Sequence, residues 1–271
     1  SASTLSQFMA GKYPGDSTKV RARLVEIMDR ETEKTTLTKK NPDFIETSVS
    51  KRFFEIAKMS HLFCEIGVCY SDAGLGKTES AREYALRNGD CILIEADPSF
   101  SAGVMLRELH SRLYNDRRKD LHTTFTDCID RLKNTGRLLI IDEAEKLPYR
   151  ALEFVRRIHD KANIGILLTG MSELLGNLKG IRGQYAQLWS RVGMTVKLDK
   201  ITEKDTENII SRLIPGSESL CKVFHQQAAG NTRRLFKLIQ RSMHIADINE
   251  AVIDTDVITR AAQLVKIEVM S

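Results

Sequence analysis

The sequence predicts an α/β fold, a parallel sheet covered by helices on both faces and followed by a small all-helical region. Two observations predict it. Short apolar runs alternate with stretches of helical periodicity, which is the pattern of βαβ units. The runs then stop after Lys200, and only helical patterns follow.

The chain has 271 residues, 42% of them hydrophobic, enough to bury a substantial core. Residues 1–43 form a separate region. Ser3 to Gly11 reads as a short helix, Lys12-Tyr13-Pro14-Gly15-Asp16 as a turn, and Ser17 to Glu31 as a second helix with Val20, Leu24, Ile27 and Met28 on one face. Residues 32–43 are polar, contain Pro42 and read as a linker. Residues 44–200 hold the expected strands: Cys64 to Tyr70, Cys91 to Glu95, Leu138 to Ile141, Ile164 to Thr169 and Met194 to Leu198. Helices are expected between them at Lys77 to Arg87, Val104 to Tyr114, Phe125 to Lys133 and Leu152 to His159. Residues 201–271 form the helical lid, with helices near Glu203 to Leu213, Ser217 to Ala229, Thr232 to Ala246 and Thr255 to Val269.

The five cysteines are odd in number and form no C-x-x-C pair, which favours free thiols over a disulfide frame or a zinc site. No apolar run approaches the roughly 18 residues that cross a bilayer. The expectation is a cytoplasmic protein with no membrane partner. The chain opens on Ser1, and a trimmed N-terminal piece is expected. The net charge of +5 permits a polyanionic partner without requiring one.

The most informative segment is Ser71-Asp72-Ala73-Gly74-Leu75-Gly76-Lys77-Thr78, placed between an expected strand and an expected helix. That context is what a phosphate-binding loop requires. Gly74 and Gly76 let backbone N–H groups turn toward a phosphate, and the new helix adds its positive dipole end. Lys77 is expected to reach the β- and γ-phosphates of ATP, and Thr78 to offer a hydroxyl to Mg²⁺. Glu79 closes the segment. Ser71 stands where the pattern has its first Gly, so the loop is expected to start differently. An ordinary Gly-rich turn is the bland alternative.

Leu138-Leu139-Ile140-Ile141-Asp142-Glu143 supplies the second half: an apolar strand with two acids at its C-terminal tip, where parallel sheets bind ligands. Asp142 is expected to hold Mg²⁺ and Glu143 to orient and activate the attacking water. Together with the helical lid these motifs outline an AAA+ ATPase module. In that architecture Thr169 lies at a strand tip beside the γ-phosphate, or is simply a strand-end Thr. Arg191 stands where AAA+ proteins place an arginine finger that enters the neighbouring subunit's site, with Arg182 as runner-up and a solvated surface arginine as the bland reading. Arg233, or Arg234 in its place, is set to touch the γ-phosphate from the lid.

Several segments carry a family resemblance. Gly76 to Tyr84, Leu139 to Glu145, Ile164 to Gly170 and Leu188-Trp189-Ser190-Arg191 resemble the corresponding stretches of the phage Mu B transposition protein family. Ser3 to Phe8 with Lys12 to Asp16 is similar to the second half of that family's helix-turn-helix, which makes residues 1–43 a partial copy plus linker. Some motifs are shared with TnsC and IstB-type helper ATPases. The resemblance implies a target-selection ATPase. Such a protein polymerises on double-stranded DNA as an ATP-dependent helical filament without sequence choice, recruits and stimulates a DDE transposase, and dissociates after hydrolysis. Met171 departs from the family, which tends to carry a polar residue there. Fast hydrolysis is therefore in question.

Arg112 and Arg117-Arg118-Lys119 surround the break between two expected helices. In the resembling ATPases this loop faces DNA, so these four residues are expected to contact phosphates; a solvated charge run is the alternative. Two other functions stay open: a helicase- or replication-loader ATPase, and a DNA-filament scaffold in which ATP is a structural ligand with negligible turnover.

Overall fold

The computed structural model describes residues 6, 8–10, 15, 18–25, 44–114, 120–179 and 186–264. The chain divides into two compact units, Ser1–Asp43 and Phe44–Ser271. In the first, Ser6, Phe8 and Met9 are helical, Ala10 N donates to Ser6 O at 3.0 Å, and a second helical stretch covers residues 18–25. The rest of the expected partial helix-turn-helix and linker lies outside the described residues.

The second unit opens with a helix absent from the sequence-based expectation, α1 (Ser48–Phe63). A capping box starts it: Ser50 N donates to Thr47 Oγ1 at 3.2 Å, and Thr47 N donates to Ser50 Oγ at 2.8 Å. Cys64 ends it at φ 52°, its N–H bonded to Ser60 O. The first strand therefore begins at Ile66 and not at Cys64, whose backbone is used to close the helix.

The strands are β1 (Ile66–Tyr70), β2 (Cys91–Glu95), β3 (Leu138–Asp142), β4 (Gly165–Gly170) and β5 (Val192–Lys197), in spatial order β2-β3-β4-β1-β5. Every pairing is parallel. The helices of this region are α2 (Lys77–Arg87), α3 (Ala102–Leu113), α4 (Leu121–Leu132), α5 (Tyr149–Ala162), α6 (Glu173–Lys179) and α7 (Ala186–Trp189). β3 and β4 are buried along their whole length, which is why both read as unbroken apolar runs.

Side chains alternate across the sheet. Leu139, Ile141, Ile166 and Leu168 pack on one face with Met105, Leu109, Leu132, Leu152 and Val155 of α3, α4 and α5. Leu138, Ile140, Leu167 and Cys69 pack on the other with Phe53 and Ile56 of α1 and Ala81 and Tyr84 of α2. Each fully buried Leu or Ile contributes about 1.5–3 kcal/mol. The same alternation puts Asp142, two residues beyond Ile140, and Thr169, two beyond Leu167, on the face that carries α2.

The lid consists of α8 (Glu203–Leu213), α9 (Cys221–Ala228), α10 (Thr232–Ile248) and α11 (Thr255–Leu264). The helix expected from Ser217 is divided: a 3-10 turn, Glu218–Leu220, leads into α9. The end of the last expected helix lies outside the described residues. Phe224, Leu235, Leu238, Ile239 and Ile258 join the α1–α2 side of the core, so lid and sheet share apolar packing. All five cysteines are free; Cys69, Cys128 and Cys221 are buried. Among the described residues no helix is long and apolar enough to cross a membrane.

Candidate active site

Between Tyr70 at the end of β1 and Lys77 at the start of α2, the chain turns tightly. Gly74 (φ 81°) and Gly76 (φ 93°) take left-handed backbone that glycine adopts without steric cost. Gly74 also meets the lid. A Cβ there would lie 2.7 Å from Asn231 Oδ1. Asn231 caps α10 by accepting from Arg234 N at 3.0 Å, and its Nδ2 donates to Ala73 O at 2.8 Å. Arg233 N donates to Gly74 O at 2.9 Å and Thr232 Oγ1 to Leu75 O at 3.4 Å. The first turn of α10 thus rests on the loop. Arg233 is exposed beside Gly74, while Arg234 is half-buried. The sequence-based reading gave these arginines a role and Asn231 none, although an Asn before a helix is a capping signal.

Lys77 is buried. Its Nζ donates to Ser71 Oγ at 2.7 Å, Asp72 O at 3.0 Å and Ser71 O at 3.1 Å. Ser71 is itself buried, and its hydroxyl donates to Asp72 O at 2.9 Å. The altered start of the loop is therefore a hydroxyl placed against the lysine. Burial pulls Lys77 below its ordinary pKa, opposed by the charges of Asp142, Glu145 and Asp72. Burial likewise pushes the neighbouring Cys69 thiol up to about 12. Leu75 is buried under the loop. Glu79 faces outward and accepts from Arg82 Nη1 at 2.8 Å. Arg82 also grips Glu95 of β2 through two bonds of 2.7 and 2.8 Å, fixing α2 to the sheet.

Thr78 Oγ1 donates to Asp142 Oδ2 at 2.6 Å. Asp142 is 1% exposed, and its Oδ1 has no partner among the described residues. Burial raises its pKa above the usual carboxylate range, although the Thr78 bond and Lys77 oppose this. A hydroxyl beside a carboxylate with one unsatisfied oxygen is a hard-oxygen donor set, and it fits a small divalent cation such as Mg²⁺.

Glu143 takes left-handed backbone (φ 52°) and caps the 3-10 turn Ala144–Lys146. Its carboxylate, 45% exposed, pairs with Lys146. Glu145, to which the sequence-based reading gave no role, has a buried Oε2 with no partner among the described residues. Thr169 is fully buried, and its Oγ1 also lacks one. Met171, just past β4, is 37% exposed.

The phosphate-loop residues, Thr78, Asp142 and Arg233 are thus drawn together, and Arg191 is engaged elsewhere. Its Nε donates to Asp160 Oδ1 of α5 at 2.5 Å and its Nη1 to Gln187 O at 3.0 Å. Arg112, at the end of α3, is exposed and paired with Glu108 at 2.9 Å. Arg117, Arg118, Lys119 and Arg182 lie outside the described residues.

A family model described as "AAA domain" matches residues 63–178. Among solved structures, the Aeropyrum pernix ORC2 protein superposes with a TM-score of 0.60 at 16% identity. The match covers 80% of this chain and 66% of that one, just under two thirds, and it speaks for the fold alone. The Mu-like prophage FluMu DNA transposition protein B of Haemophilus influenzae is 30% identical over 213 residues, 77% of this chain and 74% of that protein. The ATP-dependent target DNA activator B of Escherichia phage Mu is also 30% identical over 213 residues, 77% of this chain and 68% of that protein. Identity at this level across most of both sequences, on an AAA fold whose glycine-rich loop meets an acidic strand tip, means that the chain belongs to the phage Mu B transposition protein family.

Proposed function

We propose that this chain is an ATP-hydrolysing, ATP-dependent DNA-binding protein of transposition. It would form a helical filament on double-stranded target DNA without sequence choice, and recruit and activate a DDE transposase. The observation that carries this reading is the loop in which buried Lys77 donates to three oxygens beside the Thr78–Asp142 pair. Residues 44–200 then form the nucleotide-binding core, 201–271 the lid, and 1–43 a partial helix-turn-helix and linker.

In this reading Lys77 exchanges its bonds to Ser71 and Asp72 for oxygens of the β- and γ-phosphates, and the N–H groups of the loop and of the first turn of α2 surround the phosphates. Thr78 and Asp142 would hold Mg²⁺, which supplies positive charge against the phosphate oxygens. Glu143 leaves Lys146 to activate water, Thr169 stands at the γ-phosphate end, and Arg233 approaches from the lid. Arg191 acts on the neighbouring subunit's nucleotide.

A second reading, a filament scaffold with negligible turnover, draws on Glu143 being tied to Lys146 and on Met171 at the end of β4. Electron microscopy with duplex DNA and a non-hydrolysable ATP analogue tests the assembly. The expected outcome is a helical polymer that requires the analogue and is absent in Lys77→Ala. A closed ring supports a loader, and polymers formed by Lys77→Ala at wild-type levels overturn the ATP coupling. Multiple-turnover hydrolysis by the DNA-bound protein then separates the enzyme from the scaffold.

A further inference from the structure

The lid meets the phosphate loop through consecutive carbonyls. Ala73 O accepts from Asn231 Nδ2 at 2.8 Å, Gly74 O from Arg233 N at 2.9 Å and Leu75 O from Thr232 Oγ1 at 3.4 Å. Among the described residues no peptide bond is cis, so each of these carbonyls points opposite to the N–H of the residue that follows it. With the carbonyls of residues 73–75 turned to α10, the N–H groups of Gly74, Leu75 and Gly76 are turned away from it. The left-handed backbone at Gly74 and Gly76 curls such N–H groups into the kind of nest that takes an anion.

Asn231 makes the shortest of the three contacts, and its amide is used at both ends. Oδ1 accepts from Arg234 N and caps α10, while Nδ2 donates to Ala73 O. An N–H on one side and a carbonyl on the other admit only this orientation of the amide. The peptide it holds joins Ala73 to Gly74, and glycine lets a peptide turn over at little steric cost. The fit is close: a Cβ at Gly74 would lie 2.7 Å from Asn231 Oδ1 and 2.9 Å from Nδ2. The cap needs only the oxygen, which Ser or Asp supplies equally well. The bond to the loop needs the Nδ2 donor, which both of those residues lack.

We propose that Asn231 is a positioning residue for the phosphates of ATP: from the lid, its Nδ2 holds the Ala73 carbonyl and so keeps the Gly74 N–H facing the triphosphate. This rests on the ATP-site reading above and deepens it. Asn231 touches no phosphate and acts through the main chain of the loop. By the same bond the loop's grip depends on α10 resting against it, so nucleotide affinity and the docking of the lid are linked reciprocally.

The test uses the full chain, with a fluorescent ATP analogue for affinity and denaturant unfolding without nucleotide for stability. Asn231→Ser keeps the cap and loses the donor; Asn231→Ala loses both. Both are expected to bind the analogue about three- to tenfold more weakly than wild type, the worth of one uncharged hydrogen bond. Only Asn231→Ala should unfold markedly more easily, as a helix does on losing its cap. Affinity then follows the N–H and stability the oxygen, a split that a purely structural residue does not produce. Should Asn231→Ser be destabilised, Asn231→Asp decides, being isosteric and a good cap without the donor. It is compared with wild type at about 1 M salt, where its added charge is screened beyond about 3 Å. Wild-type affinity in the cap-retaining variant, or an affinity loss that only tracks its stability, overturns the proposal. Failure of the underlying ATP-site reading is distinguishable, since wild type itself would then bind no analogue.

Discussion

Arg191 is held by Asp160, and that bond sets the terms on which it can act elsewhere. Asp160 serves two arginines: Oδ1 accepts from Arg191 Nε at 2.5 Å and Oδ2 from Arg156 Nη1 at 2.6 Å. Arg156 in turn grips Glu153 with two bonds of 2.6 and 2.9 Å, and this guanidinium, opposed by burial and assisted by Arg157, holds Glu153 down to about 2. The inner pair is well shielded, whereas Arg191 is 38% exposed at its side chain. An exposed pair is worth about 0–1 kcal/mol, so the proposed move of Arg191 to a neighbouring subunit's triphosphate would cost little. If Arg191 is the proposed finger, Arg191→Ala should therefore leave folding and ATP binding nearly unchanged and reduce hydrolysis by about 10³-fold or more. Mixing supplies the sharper check. Arg191→Ala retains a complete loop, and Lys77→Ala retains the arginine, so the two inactive proteins should regain activity together. No recovery on mixing would mean that Arg191 does not work in trans.

One carboxylate adds a charged joint between the lid and α1. Asp205, in the first turn of α8, accepts from Ser48 N at 2.7 Å, Ser48 Oγ at 2.6 Å, and Thr202 N and Oγ1 at 2.8 Å each. It thus completes the capping box of α8 while holding the N-terminus of α1. Burial alone would raise its pKa, but the bonds from Ser48 and Thr202 outweigh burial and hold it below the ordinary Asp value. A depressed folded-state pKa contributes stability that is present above the unfolded value near 3.9 and is lost as pH falls through the folded one. Asp205→Asn should lower unfolding free energy by about 1.5–3 kcal/mol at pH 7, the range for hydrogen bonds to a charged group. Denaturant titrations should show that gap closing in acid; a gap that is constant with pH would mean the charge contributes nothing. Such joints are hard to read in a sequence because 157 residues separate Ser48 from Asp205. Strand cores were legible, since β3 and β4 are buried on both faces and appear as bare apolar runs. Lys77, Thr78 and Asp142 were legible because a linear motif fixes them. Helix α1 was not, because its fit depends on Gly165 in β4, where a Cβ would overlap Ser60 O. Nor was the pairing of Glu143 with Lys146, because the left-handed backbone at Glu143 redirects the turn that follows, and sequence spacing does not encode that reversal.

For the molecule as a whole, the proposed DNA contact has to be electrostatic. The formal charge of +5 on 271 residues is modest, so affinity must come from local clusters and from many subunits adding their contacts along the duplex. Arg112 is exposed, but it already shares its guanidinium with Glu108, which weakens its pull on a phosphate. The neighbouring Arg117, Arg118 and Lys119 carry three further positive charges with no acid among them. Each phosphate neutralised contributes about 0.9 to the slope of log affinity against log salt. Replacing Arg117, Arg118 and Lys119 together by Ala should therefore weaken DNA binding at 100 mM salt and flatten that slope by up to about 2.7 per subunit. Binding would be measured with a non-hydrolysable ATP analogue, so that turnover does not disassemble the complex. The flattening should be equal on two duplexes of unrelated sequence, because phosphate contacts carry no base information. Arg112→Ala, already discounted by its ion pair, should change the slope by less than one contact's worth. An unchanged slope in the triple variant would place the DNA on another surface of the subunit, and a loss confined to one of the two duplexes would mean that the segment reads bases.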